Sequence, residues 1–194
     1  MTSMRTAVAL IVGVMLIVGL MLVGPVVRPS AQAAQAAQSP HPQAPPAKQV
    51  LDAALATANT TNKNVFVFFS ASWCGWCHKL EAFLKTPDGE ALGRYSVFVK
   101  LTVQESGVFK PDENPGGADM MKTWGGTGGI PFYVFLDGKG TVLSDANGLA
   151  GGANIGYPAN PTEVKAFDVV LTKGVPKMPA DIRAKIIDYI AKHP

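Results

Sequence analysis

Apolar residues recur at helical spacing at Val50, Leu51, Ala54, Leu55 and Ala58, which predicts an amphipathic helix over residues 48–59. Polar turn formers from Asn59 to Asn64 break it. Val65-Phe66-Val67-Phe68-Phe69 is then a continuous β-branched and aromatic run, the pattern of a strand covered on both faces. A second helix is predicted from Cys74 to Lys85, ended by Thr86-Pro87, and a second strand from Val97 to Val103. Residues 104–118 read as an insertion containing Gly and Pro, and 118–124 as a short helix. Phe132 to Leu136, the turn Asp137-Gly138-Lys139-Gly140, and Thr141 to Ser144 predict a hairpin. Asn160 followed by Pro161 opens a helix to about Thr172, and a last helix runs from Pro179 to Lys192. Strands interleaved with helices and closed by a hairpin predict an α/β sandwich.

The N-terminus follows a different rule. Ala7 to Val27 carries no charge and is preceded by Arg5. Gly24-Pro25 limits the helix formers to Val23, about 26 Å at helical rise. Two small-x-small sequences follow, Ala31-Gln32-Ala33 and Ala34-Gln35-Ala36. Residues 1–33 are expected to be a cleaved export signal or a retained membrane anchor. Residues 34–47 are rich in Ala, Gln and Pro, offer no apolar face, and are expected to form a linker. The folded domain is then residues 48–194, expected in the periplasm, secreted, or held at the outer face of the cytoplasmic membrane.

Charge narrows the function classes. The net charge of +3 comes from Arg5, Arg28 and Lys48, since no acidic residue precedes Asp52. From residue 49 onward, 14 basic and 14 acidic side chains balance. A basic nucleic-acid-binding face has no support in that balance. With two cysteines, a disulfide-stapled mini-fold and a four-cysteine zinc site are excluded as well.

Those cysteines sit in Ser72-Trp73-Cys74-Gly75-Trp76-Cys77-His78, where the predicted buried strand turns into a helix. Cysteine attacks disulfides as the thiolate. Free backbone N–H groups at a helix N-terminus stabilise that anion. The spacing sets Cys74 at the exposed tip and Cys77 one turn inside, where it can resolve a mixed disulfide. Glu81 follows Cys77 by four residues, on the same helix face. Partial burial is expected to raise its pKa towards neutrality and make it a proton carrier for Cys77, with Lys100 opposing that rise.

Over residues 48–145 the chain resembles the thioredoxin superfamily. Trp73 precedes the first cysteine as in many members, and Gly129-Ile130-Pro131 before the strand Phe132-Tyr133-Val134-Phe135-Leu136 matches the cis-proline loop. Lys100 matches the strand lysine beneath the active site. The resemblance implies a thioredoxin-like sandwich, a central mixed β-sheet flanked by helices. It implies a redox-active Cys74–Cys77 pair, and a substrate groove at Pro131 with backbone groups offered by Ile130. Trp73 and Trp76 are expected at the same substrate surface. Trp-Cys-Gly-Trp-Cys-His-Lys-Leu-Glu looks most like exported thioredoxin-like proteins, and is similar to the C-terminal domain of the periplasmic transmembrane disulfide reductase, which also has a Glu four residues beyond its second cysteine. Implied partners are proteins bearing disulfides or thiols and a membrane-embedded redox partner, with no cofactor. Two departures stand out. The buried acid of the first strand falls at Phe68, and Trp76 replaces the proline of thioredoxin. The region after residue 145 has no secure counterpart in the smallest members.

Other readings compete with dithiol chemistry. Cys74-Gly75-Trp76-Cys77-His78 also spells the haem-attachment pattern, with His78 and Met120 or Met121 as axial ligands. A thioredoxin fold can also serve as a non-catalytic binding module. The strand before the cysteines and the Ile-Pro loop after them favour the dithiol. Gly125 to Gly129 lacks the Lys-Ser/Thr of a phosphate loop and is read as flexible backbone ahead of the proline.

Overall fold

The computed structural model describes residues 42–194. The expected signal or anchor, and the linker up to residue 41, lie outside the described residues. Strand β1 (Asn64–Ser70) is buried along its whole length because it is central in the sheet. On one side it pairs in parallel with β2 (Ser96–Thr102), setting Phe66 opposite Phe98 and Phe68 opposite Lys100. On the other it pairs antiparallel with β3 (Phe132–Leu136), setting Phe66 opposite Phe135 and Phe68 opposite Tyr133. The hairpin strand β4 (Val142–Asp145) completes the order β2-β1-β3-β4. This is the expected mixed sheet.

Six α-helices flank it among the described residues: α1 (Ala47–Thr61), α2 (Gly75–Leu84), α3 (Pro87–Gly93), α4 (Gly117–Thr123), α5 (Pro161–Gly174) and α6 (Ala180–Lys192). A parallel β1–β2 pair requires a crossover, which α2 and α3 supply. Sequence pattern reads Thr86-Pro87 only as the end of α2. In the structure the same pair also starts α3: the Thr86 hydroxyl accepts the Gly89 N–H at 3.2 Å, and Pro87 fills the first turn. The Asn160 cap behaves as expected, its side-chain oxygen accepting the N–H groups of Thr162 and Glu163.

The main core is a cluster built on the phenylalanines of β1 and β3, with Phe66 stacked on Phe135 at 4.5 Å between centroids. The region beyond residue 145 joins that same core through Ile155, Tyr157, Phe167, Leu171, Ile186 and Ile190.

Residues 104–118 are ordered by hydrogen bonds and hold a 3₁₀ helix (Gly107–Asp112). Asn114 ties them to β2, accepting the Thr102 N–H at 2.7 Å. They also grip the chain entering the domain. The N–H groups of Ala44 and Ala47 donate to the carbonyls of Pro111 and Pro115, each at 2.9 Å, and Asn114 donates to the Pro45 carbonyl. Among the described residues, no helix is long and apolar enough to cross a membrane.

Candidate functional site

The chain leaves β1 at Ser70 and turns through Ala71-Ser72-Trp73 into α2, whose N-cap is Cys74. Cys74 and Cys77 form a disulfide. The Cys77 N–H donates to the Cys74 sulfur at 3.2 Å, so the first turn of α2 directs a backbone donor at that atom. This is the geometry that stabilises a thiolate once the pair is reduced. Cys77 is fully buried, as its place one turn inside predicts. Cys74 differs from expectation: in the disulfide it is only 4% exposed, packed with Ala71 and Cys77 beneath Ile130. The exposed groups at the helix tip are instead Trp73, at 60%, and Trp76, at 50%.

The loop before β3 closes over the disulfide. The Ile130–Pro131 peptide is cis, as expected, and the Ile130 carbonyl oxygen lies 3.6 Å from the Cys74 sulfur. Ile130 thus touches the sulfur pair while Pro131 leads into β3.

Two residues that sequence reasoning missed hold the segment ahead of Cys74. Glu105 is a buried carboxylate in the 104–118 segment. It accepts the Ser72 backbone N–H at 2.5 Å and the Ser72 hydroxyl at 2.7 Å. Next to it, the Gln104 carbonyl accepts the Trp73 indole N–H at 2.8 Å, and the Gln104 amide donates to the Gly128 carbonyl. Gln104 reaches both from a left-handed backbone conformation (φ 59°). No spacing in the sequence links Glu105 to Ser72, which lies 33 residues away.

The third missed residue is Tyr157. Its ring stacks on Trp76 at 6.4 Å between centroids, inclined by 18°. The Lys79 ammonium lies over both rings, 5.0 Å from the Trp76 centroid and 5.7 Å from that of Tyr157. The Tyr157 hydroxyl donates to the His193 carbonyl at 3.1 Å, and burial pushes its pKa up. Between this stack and the Ile130-Pro131 loop lies a groove of about 200 Å³, also lined by Ile155, Gly156, Ala159 and Glu163.

Glu81 is neither solvated nor raised in pKa. Its carboxylate accepts from the Ser70 hydroxyl at 2.7 Å and pairs with the Lys100 ammonium at 2.8 Å. Burial pushes its pKa up, but hydrogen bonds from Lys100 and Ser70, with the charges of Lys100 and His78, outweigh it and leave the carboxyl below its ordinary value. The expected rise towards neutrality is therefore overturned. Phe68 sits beside this pair in a hollow also lined by Leu84, Lys85 and Phe98. Glu81 on α2 thus lies beside Phe68, the β1 position where the resemblance expects an acid.

Of the remaining candidates, His78 is exposed on α2. Met121 is buried in the main core, and Met120 packs against it. Trp124 packs edge-on against Phe69 at 6.1 Å between centroids.

A family model described as a thioredoxin-like domain matches residues 51–155. The chain belongs to this thioredoxin-like family. The match contains the cysteine pair, Glu105 and the cis-proline loop, and ends two residues before Tyr157. No curated protein sequence matches the chain. Among solved structures, the thioredoxin-like domain is similar to a disulphide isomerase from Xylella fastidiosa Temecula1, with 21% identity, 79% of this chain and 95% of that one covered, and a TM-score of 0.47. It is similar also to a DsbH oxidoreductase (18% identity, 69% and 87% covered, TM-score 0.46). The C-terminal domain of Neisseria meningitidis DsbD, in its oxidised form, matches at 21% identity over 52% of this chain and 83% of that one, with a TM-score of 0.38.

Proposed function

We propose that the chain is an extracytoplasmic thiol–disulfide oxidoreductase that exchanges electrons with protein disulfides through Cys74-Gly75-Trp76-Cys77. The observation that carries this reading is the disulfide itself. It lies at the N-terminus of α2, with the Cys77 N–H on the Cys74 sulfur and the Ile130 carbonyl 3.6 Å away.

In the reducing direction the Cys74 thiolate attacks one sulfur of a substrate disulfide, forming a mixed disulfide and releasing the other sulfur as a thiol. Cys77, deprotonated, then attacks the Cys74 sulfur. The Cys74–Cys77 disulfide forms, the second substrate thiol leaves, and two electrons have passed to the substrate. Burial of Cys77 keeps bulky substrates from it and reserves it for this second step. The substrate chain lies along Ile130 and Pro131, between Trp73 and Trp76. Glu81, four residues beyond Cys77 on α2, is the candidate proton acceptor, acting as an ionised carboxylate. The apolar N-terminal run supports placement outside the cytoplasm, with proteins bearing disulfides or thiols as substrates and a membrane-embedded redox partner.

Insulin reduction with dithiothreitol as donor tests the reading. The wild-type chain should accelerate precipitation of the reduced B chain and Cys74→Ala should not. A wild-type chain without effect would make the fold a binding module. The potential of the couple then sets direction: about −270 mV marks a reductant, about −120 mV an oxidant.

A further inference from the structure

Gly125 to Gly129, read from the sequence as flexible backbone, is held in the structure by side-chain amides from both sides of it in the chain. Asn147 donates to the Gly125 carbonyl at 3.1 Å, and Gln104 to the Gly128 carbonyl at 2.9 Å. Asn154 makes two such bonds, its amide nitrogen donating to the carbonyls of Gly129 and Pro131 at 3.0 and 3.2 Å. We propose that Asn154 is a positioning residue for the exchange reaction, and that it fixes the Ile130 backbone against which a polypeptide substrate aligns. The inference rests on the oxidoreductase reading and adds to it the group that sets the loop.

Three observations carry it. The first is where the bonds fall. Of the consecutive carbonyls of Gly129, Ile130 and Pro131, the outer two accept from the one Asn154 nitrogen, and the middle one lies 3.6 Å from the Cys74 sulfur. Asn154 therefore grips the loop on both sides of the residue that meets the disulfide. The second is that Asn154 is itself fixed. Its side-chain oxygen accepts the Gly156 N–H at 3.0 Å. The next residue, Ile155, is buried in the main core, and its N–H donates to the Ala146 carbonyl at 2.8 Å. The amide thus ties the loop to the core. The third is the composition of the loop. Four of the five residues from Gly125 to Gly129 are glycine, which loses more conformational freedom on ordering than any other residue. At Gly129 the missing side chain also admits the clamp, since a Cβ there would lie 3.2 Å from the Asn154 amide nitrogen. Such a loop needs bonds from outside to keep one geometry, and a polypeptide that met it unfixed would have to order it on binding. A small disulfide has no backbone to align and escapes that cost.

The test compares two substrates of the full chain. One is insulin, with dithiothreitol as donor, read as kcat and KM. The other is hydroxyethyl disulfide, mixed with the reduced chain and followed by alkylation of the protein thiols that remain. Asn154→Ala should raise KM for insulin about three- to tenfold, the loss expected for one or two modest hydrogen bonds, with kcat within about twofold of wild type. Its rate with hydroxyethyl disulfide should also stay within about twofold of wild type. Asn154→Asp keeps the acceptor for the Gly156 N–H and loses the donors, so it should match Asn154→Ala. KM does not depend on the fraction of chain that is folded, so partial unfolding does not imitate the effect. A wild-type KM in both variants, or a loss as large with the small disulfide as with insulin, would overturn the inference alone. So would a wild-type KM in Asn154→Asp only, because Asn154 would then serve the Gly156 turn and not the loop. A wild-type chain that reduces neither substrate would overturn the oxidoreductase reading as well.

Discussion

Glu105 holds Ser72 by two hydrogen bonds, one to its backbone N–H at 2.5 Å and one from its hydroxyl at 2.7 Å. The carboxylate lies in a segment that looks like a loop, yet it fixes the turn two residues before Cys74. Its own N–H donates to Glu113 at 2.7 Å, and Glu113 pairs with Lys110, so the clamp is itself braced. Replacement by Ala would orphan a backbone donor and leave a void. Glu105→Ala should cost roughly 2–3 kcal/mol of stability, with Glu105→Gln costing less because one acceptor survives. Urea denaturation of the oxidised chain measures both, and equal stability of Ala and wild type would mean the clamp contributes nothing.

Replacing Cys77 by Ser should trap a mixed disulfide between Cys74 and a substrate, because the attacking thiol remains while the resolving one is gone. Both sulfurs are buried in the disulfide, but Cys74 sits at the N-cap with the Cys77 N–H directed at its sulfur, which favours Cys74 as the attacking thiolate. Mass spectrometry of trapped adducts should find them on Cys74 of Cys77→Ser and few on Cys74→Ser. Adducts on Cys77 of the latter would reverse the assignment.

Gly174 ends α5 against β3. A Cβ there would lie 2.4 Å from the ring of Phe135, a residue locked in the centre of the sheet and stacked on Phe66. The Gly174 carbonyl also accepts the buried Asn64 amide at 2.6 Å, so the helix cannot simply retreat. Gly174→Ala should therefore destabilise by about 1–3 kcal/mol, the range of an overpacked core, despite its better helix propensity. A denaturation midpoint at or above that of wild type would show that α5 is free to shift.

The sheet was legible because β1 and β3 carry short continuous apolar runs whose β-branched and aromatic residues, bounded by turn formers, favour a strand over a buried helix segment. The helices with clear caps, such as α5 after Asn160, were legible too. What escaped were residues whose partners are distant in sequence. Helix α3 was hidden because Thr86-Pro87 signals an end and a beginning alike. Glu105 and Tyr157 were hidden because nothing local marks a carboxylate as buried, or a tyrosine as the stacking partner of a tryptophan 81 positions earlier. At the site, the cysteines and the cis-proline loop were carried by motif. Glu81 was placed on the correct face, but its pKa moved the opposite way, because helical spacing reveals neighbours on α2 and not the strand side chains of Ser70 and Lys100.

That reversal makes a prediction with two arms. Ser70, Lys100 and His78 favour the charged form of Glu81 and together outweigh the desolvation that opposes it. A carboxyl whose folded pKa lies below its unfolded value contributes stability above the unfolded value, about 4.3, and loses it as pH falls through the folded pKa. Wild type should therefore be more stable than Glu81→Gln at pH 7, by roughly 1–2 kcal/mol for hydrogen bonds to a charged group, with the gap closing below about pH 4. Denaturation midpoints of the two proteins across pH 3 to 7 measure this, and a gap that widens towards acid would have the wrong sign. The second arm is kinetic. A lowered pKa makes a weaker base, so as proton acceptor for Cys77 the carboxylate should contribute less than the roughly 100-fold of a well-tuned group. Glu81→Gln should slow decay of the Cys74 mixed disulfide by less than about tenfold between pH 6 and 8. Stopped-flow decay slowed by 100-fold would mean that reduction of the disulfide rearranges the Lys100 pair and frees Glu81 as a stronger base.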